Sequence, residues 1–248
     1  MNFPPSTSCG EIGKILHIIL NKIIPYKTDG LFIEIGANDG KTGSFTYNLG
    51  KIGWHGINIE PIPRLYNLCC NNHKDHKNVK NYNIALGEII GEVTIIDADT
   101  LSTIDINVID IYSKIPQFKN NFINNNNYHK VKINTLDNIL EENYITKIDI
   151  LVLDVEGYEE NVLKGFSIAK YRPPIFIIEI ADQHPDFINN TIMMAKYKNL
   201  REFFKNNNYI LLINDVVDNV YITNELYSTL DTNFISTIKQ LVKFPQYK

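Results

Sequence analysis

Phe32-Ile33-Glu34-Ile35-Gly36-Ala37-Asn38-Asp39-Gly40, followed one helix later by Ile57-Asn58-Ile59-Glu60-Pro61, is the stretch whose reading decides the fold. An apolar run entering a glycine turn reads as a buried strand. The second run, ending in Glu60, reads as the neighbouring strand of a βαβ unit. Gly36 and Gly40 bring bare backbone close to a ligand because they carry no Cβ. An acidic residue about twenty positions beyond such a turn is where nucleotide-binding α/β folds hold ribose hydroxyls. Glu60 is therefore the expected ribose ligand.

The missing glycines narrow the nucleotide. A dinucleotide fingerprint started at Gly36 would need glycine at Asn38 and Lys41, the points where backbone approaches a pyrophosphate. NAD and FAD are disfavoured on that ground. No G-x-x-x-x-G-K-[ST] string occurs, so ATP and GTP lose their best-attested cradle. A ribonucleoside without phosphates remains, a description that S-adenosylmethionine fits.

At 248 residues, 44% hydrophobic and 21% charged, the chain has the composition of one globular α/β domain. Its formal charge of −4, with Lys and Arg dispersed, gives no footprint for nucleic acid or an anionic membrane. Cys9, Cys69 and Cys70 match no metal or redox spacing and read as reduced thiols, in keeping with a cytoplasmic setting. Residues 1–10 lack the pattern of a secretion signal, and no run of about eighteen apolar residues suggests a spanning helix.

The periodicity predicts an extension over 1–25 carrying an amphipathic helix at 11–24, then a main domain over 26–248. Strands are expected at 31–35, 55–60 and 79–84, with helices at 44–51 and 64–72 between them, an alternation that indicates a parallel sheet. A short extra strand follows Gly91. Residues 97–128 read as a long irregular insertion and a mobile cover over the site. Beyond it come strands at 131–134, 148–153 and 175–180, helices at 136–142, 159–169 and 191–205, an antiparallel pair at 209–213 and 220–223, and a last helix at 234–242.

Glu60, Asp154 and Glu179 each end an apolar run, and open α/β sheets bind ligands outside the carboxyl ends of their strands. In Asp154-Val155-Glu156-Gly157 the glycine permits a tight turn, and alternation places both carboxylates near one another at the mouth of the site. Glu159 and Glu160 suit the positive end of the following helix. Glu179 equally suits capping of the next helix or pairing with a lysine.

In order, Ile33-Glu34-Ile35-Gly36-Ala37-Asn38-Asp39-Gly40, Ile59-Glu60-Pro61, Ala85-Leu86-Gly87, Thr135-Leu136-Asp137, Lys147-Ile148-Asp149, Leu153-Asp154-Val155-Glu156-Gly157 and Val162-Leu163-Lys164-Gly165 resemble the FkbM-type methyltransferases over residues 31–180. The resemblance implies a Rossmann-like class I methyltransferase fold: a seven-stranded, mostly parallel sheet with an antiparallel last strand and helices on both faces. It implies methyl transfer from S-adenosylmethionine to oxygen, often a hydroxyl of a sugar, glycan or small molecule. It places Glu34, Gly36, Asn38 and Gly40 around the methionine and ribose, Glu60 on the ribose hydroxyls, Ala85 near the adenine and Asp154 near the reactive end. The chain departs from the pattern at 101–128 and beyond Ile180, where acceptor selection would reside.

The proton of the acceptor hydroxyl needs a base, for which Asp154, Glu156, Glu179 and His184 are the candidates. Asp154, Glu179 and His184 together are a candidate set for Mg²⁺ or Mn²⁺. Two competing functions use a similar sheet: an NAD-dependent sugar oxidoreductase or epimerase, against which Asn38 and Lys41 stand, and a catalytically inactive cofactor-binding module.

Overall fold

Strand pairing in the computed structural model, which describes residues 1–123 and 125–242, follows the apolar runs. In chain order the elements are α1 (Glu11–Ile23), β1 (Leu31–Ile35), α2 (Tyr47–Lys51), β2 (His55–Ile59), α3 (Pro63–Asn72), β3 (Val79–Tyr82), β4 (Ala85–Leu86) and β5 (Gly91–Ile96). They continue with α4 (Ile106–Tyr112), α5 (Lys119–Phe122), β6 (Tyr128–Asn134), α6 (Leu136–Glu142), β7 (Ile150–Leu153), α7 (Glu159–Lys164), α8 (Ile168–Tyr171) and β8 (Ile175–Glu179). The last are α9 (Thr191–Asn206), β9 (Tyr209–Asn214), β10 (Asp218–Thr223), α10 (Asn224–Tyr227) and α11 (Thr232–Leu241).

The main sheet has seven strands in the order β3-β2-β1-β7-β8-β10-β9. β3, β2, β1, β7 and β8 are parallel, and β10 runs antiparallel to both β8 and β9. This is the arrangement the family resemblance implied. The register aligns the strand ends: Ile35 pairs with Ile59 and with Leu153, and Leu153 with Ile178. Gly36, Glu60, Asp154 and Glu179 therefore leave the sheet along one edge.

Alternation along the buried strands sends side chains to two helical layers. Phe32, Ile150, Ile177 and Val220 meet Ile12, Leu16, Ile19 and Leu20 of α1 and Ile238 of α11. Ile33, Leu151 and Phe176 meet Val108, Ile139, Val162 and Phe204 on the other face. α1 is thus a layer of the main core, packed directly on the sheet. No helix among the described residues is long and apolar enough to cross a membrane.

Three expectations change. The strand expected at 79–84 ends at Tyr82, and just beyond it an unexpected strand, Ala85–Leu86, pairs with β6 in a separate three-stranded sheet of order β4-β6-β5. The helix expected at 159–169 breaks after Lys164, because Gly165 is a poor helix former and the Asp137 carboxylate accepts the Ser167 N–H at 2.8 Å, starting a new turn. The insertion 97–128, whose Asn124 lies outside the described residues, is not irregular. It holds a 3-10 turn at Asp99–Leu101, α4 and α5, and Tyr128 already belongs to β6. Asp105 caps α4 by accepting the Asn107 N–H at 2.8 Å, and Val108, Ile111, Tyr112, Ile115 and Phe122 are buried in the main core.

The packing of α1 predicts a contrast along one helix. Ile19→Ala, which removes a fully buried side chain, should destabilise the whole domain by about 2–5 kcal/mol. Ile18→Ala, on the 38% exposed face, should stay within about 0.5 kcal/mol of the parent. Urea denaturation checks both, and equal effects would mean that α1 is not part of the cooperative core.

Candidate active site

Between the ends of β1, β2 and β7 and the three-stranded sheet lies a cavity of about 220 Å³. Gly36 forms its floor. Its φ is +80°, and a Cβ there would sit 1.6 Å from the Asp154 carbonyl oxygen, so no other residue fits between the converging strands. Asn38 is also left-handed, at φ +52°, a conformation asparagine tolerates better than most residues.

Glu60 closes one end. It is buried, and its carboxylate joins two loops: Oε2 accepts the Asn38 N–H at 2.9 Å and Oε1 the Ile62 N–H at 2.8 Å. Burial pushes its carboxyl up to about 7, against the opposing pull of those N–H groups and of Arg64. Arg64 is itself held by Asp97 at 2.8 Å and Asp99 at 2.9 Å, which ties α3 to the start of the insertion.

Glu34 lines the cavity but serves the wall. Its carboxylate accepts the Ser44 hydroxyl at 2.7 Å, the Phe45 N–H at 3.1 Å and the Thr46 hydroxyl. Burial raises its carboxyl, and those three donors partly offset the rise. Ala85, Leu86, Ile95, Leu65 and Ile104 supply an apolar slot opposite.

At the other end stand Asp154 and Glu156. Oxygen atoms of Asp154, Glu156 and Glu179 lie within 4.8 Å of one another. Asp154 opens onto the cavity, yet the protein around it is dense enough that burial raises its carboxyl, while a hydrogen bond with Glu179 lowers it. Burial and then the neighbouring carboxylates raise Glu156 and Glu179. Like charges so close cannot all ionise, so this cluster retains protons unless a cation joins it. Glu156 has φ +54°, and its carboxylate accepts the Tyr112 hydroxyl at 2.9 Å. Glu159 caps the turn behind, accepting N–H groups of Val155 and Gly157 at 3.1 and 3.2 Å.

Of the residues expected in the site, Glu34, Gly36, Asn38, Glu60, Ala85, Asp154 and Glu156 line the cavity together. Gly40 does not: a Cβ there would meet Cys69 Sγ at 2.4 Å and the His73 ring at 2.9 Å, and its carbonyl lies 2.7 Å from His73 Nε2. Gly40 is a packing glycine against α3. The expected metal set also changes. Glu156, not His184, joins Asp154 and Glu179, because the loop after β8 turns His184 toward Asp186, 3.7 Å away, and the Phe187 ring, 5.3 Å away.

Thr42–Phe45 and Tyr158, which the sequence reading passed over, complete the wall with Asp99, Thr100, Ser102, Thr103 and Ile104 of the insertion expected to cover the site, and Tyr112 reaches it through Glu156. A signal for Tyr112 existed. Val108, Ile111, Tyr112 and Ile115 follow the i, i+3, i+4, i+7 spacing of a buried helix face behind an Asp105 cap.

No curated protein shows significant sequence similarity to this chain. Among solved structures, a putative O-methyltransferase from Klebsiella pneumoniae aligns with TM-score 0.47 and 8% identity over 84% of this chain and 78% of its own. The fibrillarin pre-rRNA processing protein of Methanococcus jannaschii gives 0.42 and 16% over 82% and 70%. An O-methyltransferase from Bacillus cereus in complex with SAH gives 0.41 and 11% over 79% and 74%. The profile of the methyltransferase FkbM domain matches residues 34–211, more than half of the sequence. The chain belongs to the FkbM methyltransferase family.

Proposed function

We propose that the chain transfers a methyl group from S-adenosylmethionine to a hydroxyl of a sugar or other small molecule. One observation carries the cofactor reading: the cavity is lined by Glu34, Glu60, Asp99, Asp154 and Glu156, with neither lysine nor arginine among its lining residues. Such a lining disfavours a pyrophosphate and suits a ligand that is cationic at its sulfonium and ammonium groups. On this reading Gly36 allows close backbone approach, Glu60 takes the ribose hydroxyls, and the apolar slot around Ala85 takes the flat base. Three free thiols accord with a reducing, cytoplasmic setting.

When bound, S-adenosylmethionine supplies an electrophilic methyl whose transfer to oxygen is an in-line displacement. The protein's part is to hold the hydroxyl in line without competing water. Its carboxylate cluster takes the proton the hydroxyl loses, through Asp154 or Glu156, with Glu179 sharing the charge. The same three oxygen donors favour a second reading, in which they hold Mg²⁺ or Mn²⁺ and the metal lowers the proton affinity of the hydroxyl.

Glu60→Ala should weaken S-adenosylmethionine binding by tenfold to several hundredfold while the fold persists. Each hydrogen bond to a charged acceptor is worth about 1.5–3 kcal/mol, and about 1.4 kcal/mol is one decade. Calorimetric titration of parent and variant with S-adenosylmethionine and with NAD checks this. Unchanged affinity in the variant removes the ribose assignment, and tighter binding of NAD by the parent removes the cofactor itself.

The raised carboxyl of Glu60 sets a pH dependence. Its folded value of about 7 exceeds the ordinary glutamate value, so its contribution to stability is present at low pH and lost as pH rises through 7. Ribose hydroxyls donating to the carboxylate favour the ionised form. Cofactor binding near pH 7 should therefore release protons, and affinity should fall as pH drops below 7. Calorimetry in buffers of different ionisation enthalpy measures the release, and zero release at pH 7 contradicts the assignment.

Mn²⁺ titration followed by electron paramagnetic resonance decides between the two uses of the carboxylate cluster. Stoichiometric binding that is lost in Asp154→Asn and Glu179→Gln supports the metal. No binding by the parent in the presence of S-adenosylhomocysteine leaves the carboxylates as direct base.

A further inference from the structure

We propose that Thr7, in the segment preceding α1, is a positioning residue of the cofactor cavity, holding the loop 41–44 that forms one wall. This rests on reading the cavity as the S-adenosylmethionine site. Thr42, Gly43 and Ser44 line the cavity. Gly43 has φ +77°, and no atom lies within 4 Å of where its Cβ would be, so the loop has no packing of its own there. Its inner edge is held by side chains near the cavity. Asp39 accepts N–H groups of Lys41 and Thr42 at 2.8 and 2.6 Å, and the Ser44 hydroxyl donates to Glu34 at 2.7 Å.

The outer edge depends on residues 3–8. The Ser44 carbonyl accepts the Thr7 N–H at 3.0 Å, the Ser8 N–H at 3.1 Å and the Thr7 hydroxyl at 2.8 Å. The same hydroxyl lies 2.5 Å from the Lys41 carbonyl, so its single proton is shared between the two ends of the loop. The Asn48 amide adds a bond to the Pro5 carbonyl at 2.9 Å.

This segment is itself braced. Phe3 is 2% exposed, with its ring 5.8 Å from Trp54 and 5.3 Å from Tyr26. Its N–H donates to Asn21 at 2.7 Å, and the Ser6 hydroxyl donates to the Gly13 carbonyl at 2.8 Å. α1 therefore anchors the segment, the segment anchors the loop, and the loop shapes the cavity. None of these residues touches the ligand space except through the loop.

Thr7→Val keeps the side chain's shape and removes only the hydroxyl. It should weaken S-adenosylmethionine binding about fivefold by calorimetry, the share of one net hydrogen bond, and speed amide exchange over 41–46. The urea midpoint should stay close to that of the parent. Thr7→Ser, which restores the hydroxyl, should recover both affinity and protection. Parent-like affinity and exchange in Thr7→Val overturn the proposal, as does a Thr7→Ser protein that behaves like Thr7→Val. Should the parent not bind S-adenosylmethionine at all, the functional reading fails while the exchange of the unliganded variants still decides whether Thr7 holds the loop.

Discussion

The site exists because two parallel strands converge until only hydrogen fits between them. The Asp154 N–H donates to the Ile35 carbonyl at 3.0 Å, and the N–H groups of Gly36 and Ala37 both donate to the Ile59 carbonyl at 3.0 Å. β1 is thereby bound at its last residue to both neighbours, and Gly36 passes directly beneath the Asp154 carbonyl. Any Cβ would force β7 away and separate the two ends of the cavity. Glu60 on one side and Asp154 on the other keep their spacing through this contact, so sheet register fixes the two ends of the ligand space while the loop 41–44 shapes one wall.

Electrostatics then separate the two ends. Near Glu60 two backbone N–H groups and Arg64 offset only part of the cost of burial, and its carboxyl stands at about 7. Around Asp154, Glu156 and Glu179 compensation is poor. Two cations of α9 are engaged elsewhere: Lys196 binds Asp105 at 2.5 Å and the Gly157 carbonyl at 2.9 Å, and Arg201 binds Asp182, Tyr221 and Asn219. Burial and the neighbouring carboxylates therefore hold Glu156 and Glu179 well above the ordinary range.

The sheet was readable because its central strands are buried on both faces and appear as apolar runs, such as Ile150–Leu153 before Asp154. The acids at the strand ends followed from the same signal, since strand termini of a parallel sheet lie together by topology. Gly36 and Gly40 look alike in sequence, yet one faces the cavity and the other faces Cys69 and His73. Only the packing of α3 separates them. His184, expected in the metal set, lies five residues beyond β8, and no periodic pattern specifies where a loop side chain turns. Thr7 carried no motif, because its partners are carbonyl groups more than thirty residues away.

The insertion 97–128 shows how magnitudes separate a wall from a lid. Its polar links to the loops after β7 and β8 and to α9 include Tyr112 to Glu156, Gln117 to Asp186 and Lys196 to Asp105. Bonds of that kind are worth about 1 kcal/mol each in net terms and would release readily. The apolar contribution is larger. Val108, Ile111, Tyr112, Ile115 and Phe122 are buried in the main core, at about 1.5–3 kcal/mol for a fully buried side chain. Together they approach the whole stability of a typical domain, about 5–15 kcal/mol. Swinging the segment away as one body would cost a large share of that stability. From this buried segment the Tyr112 hydroxyl of α4 donates to Glu156 at 2.9 Å.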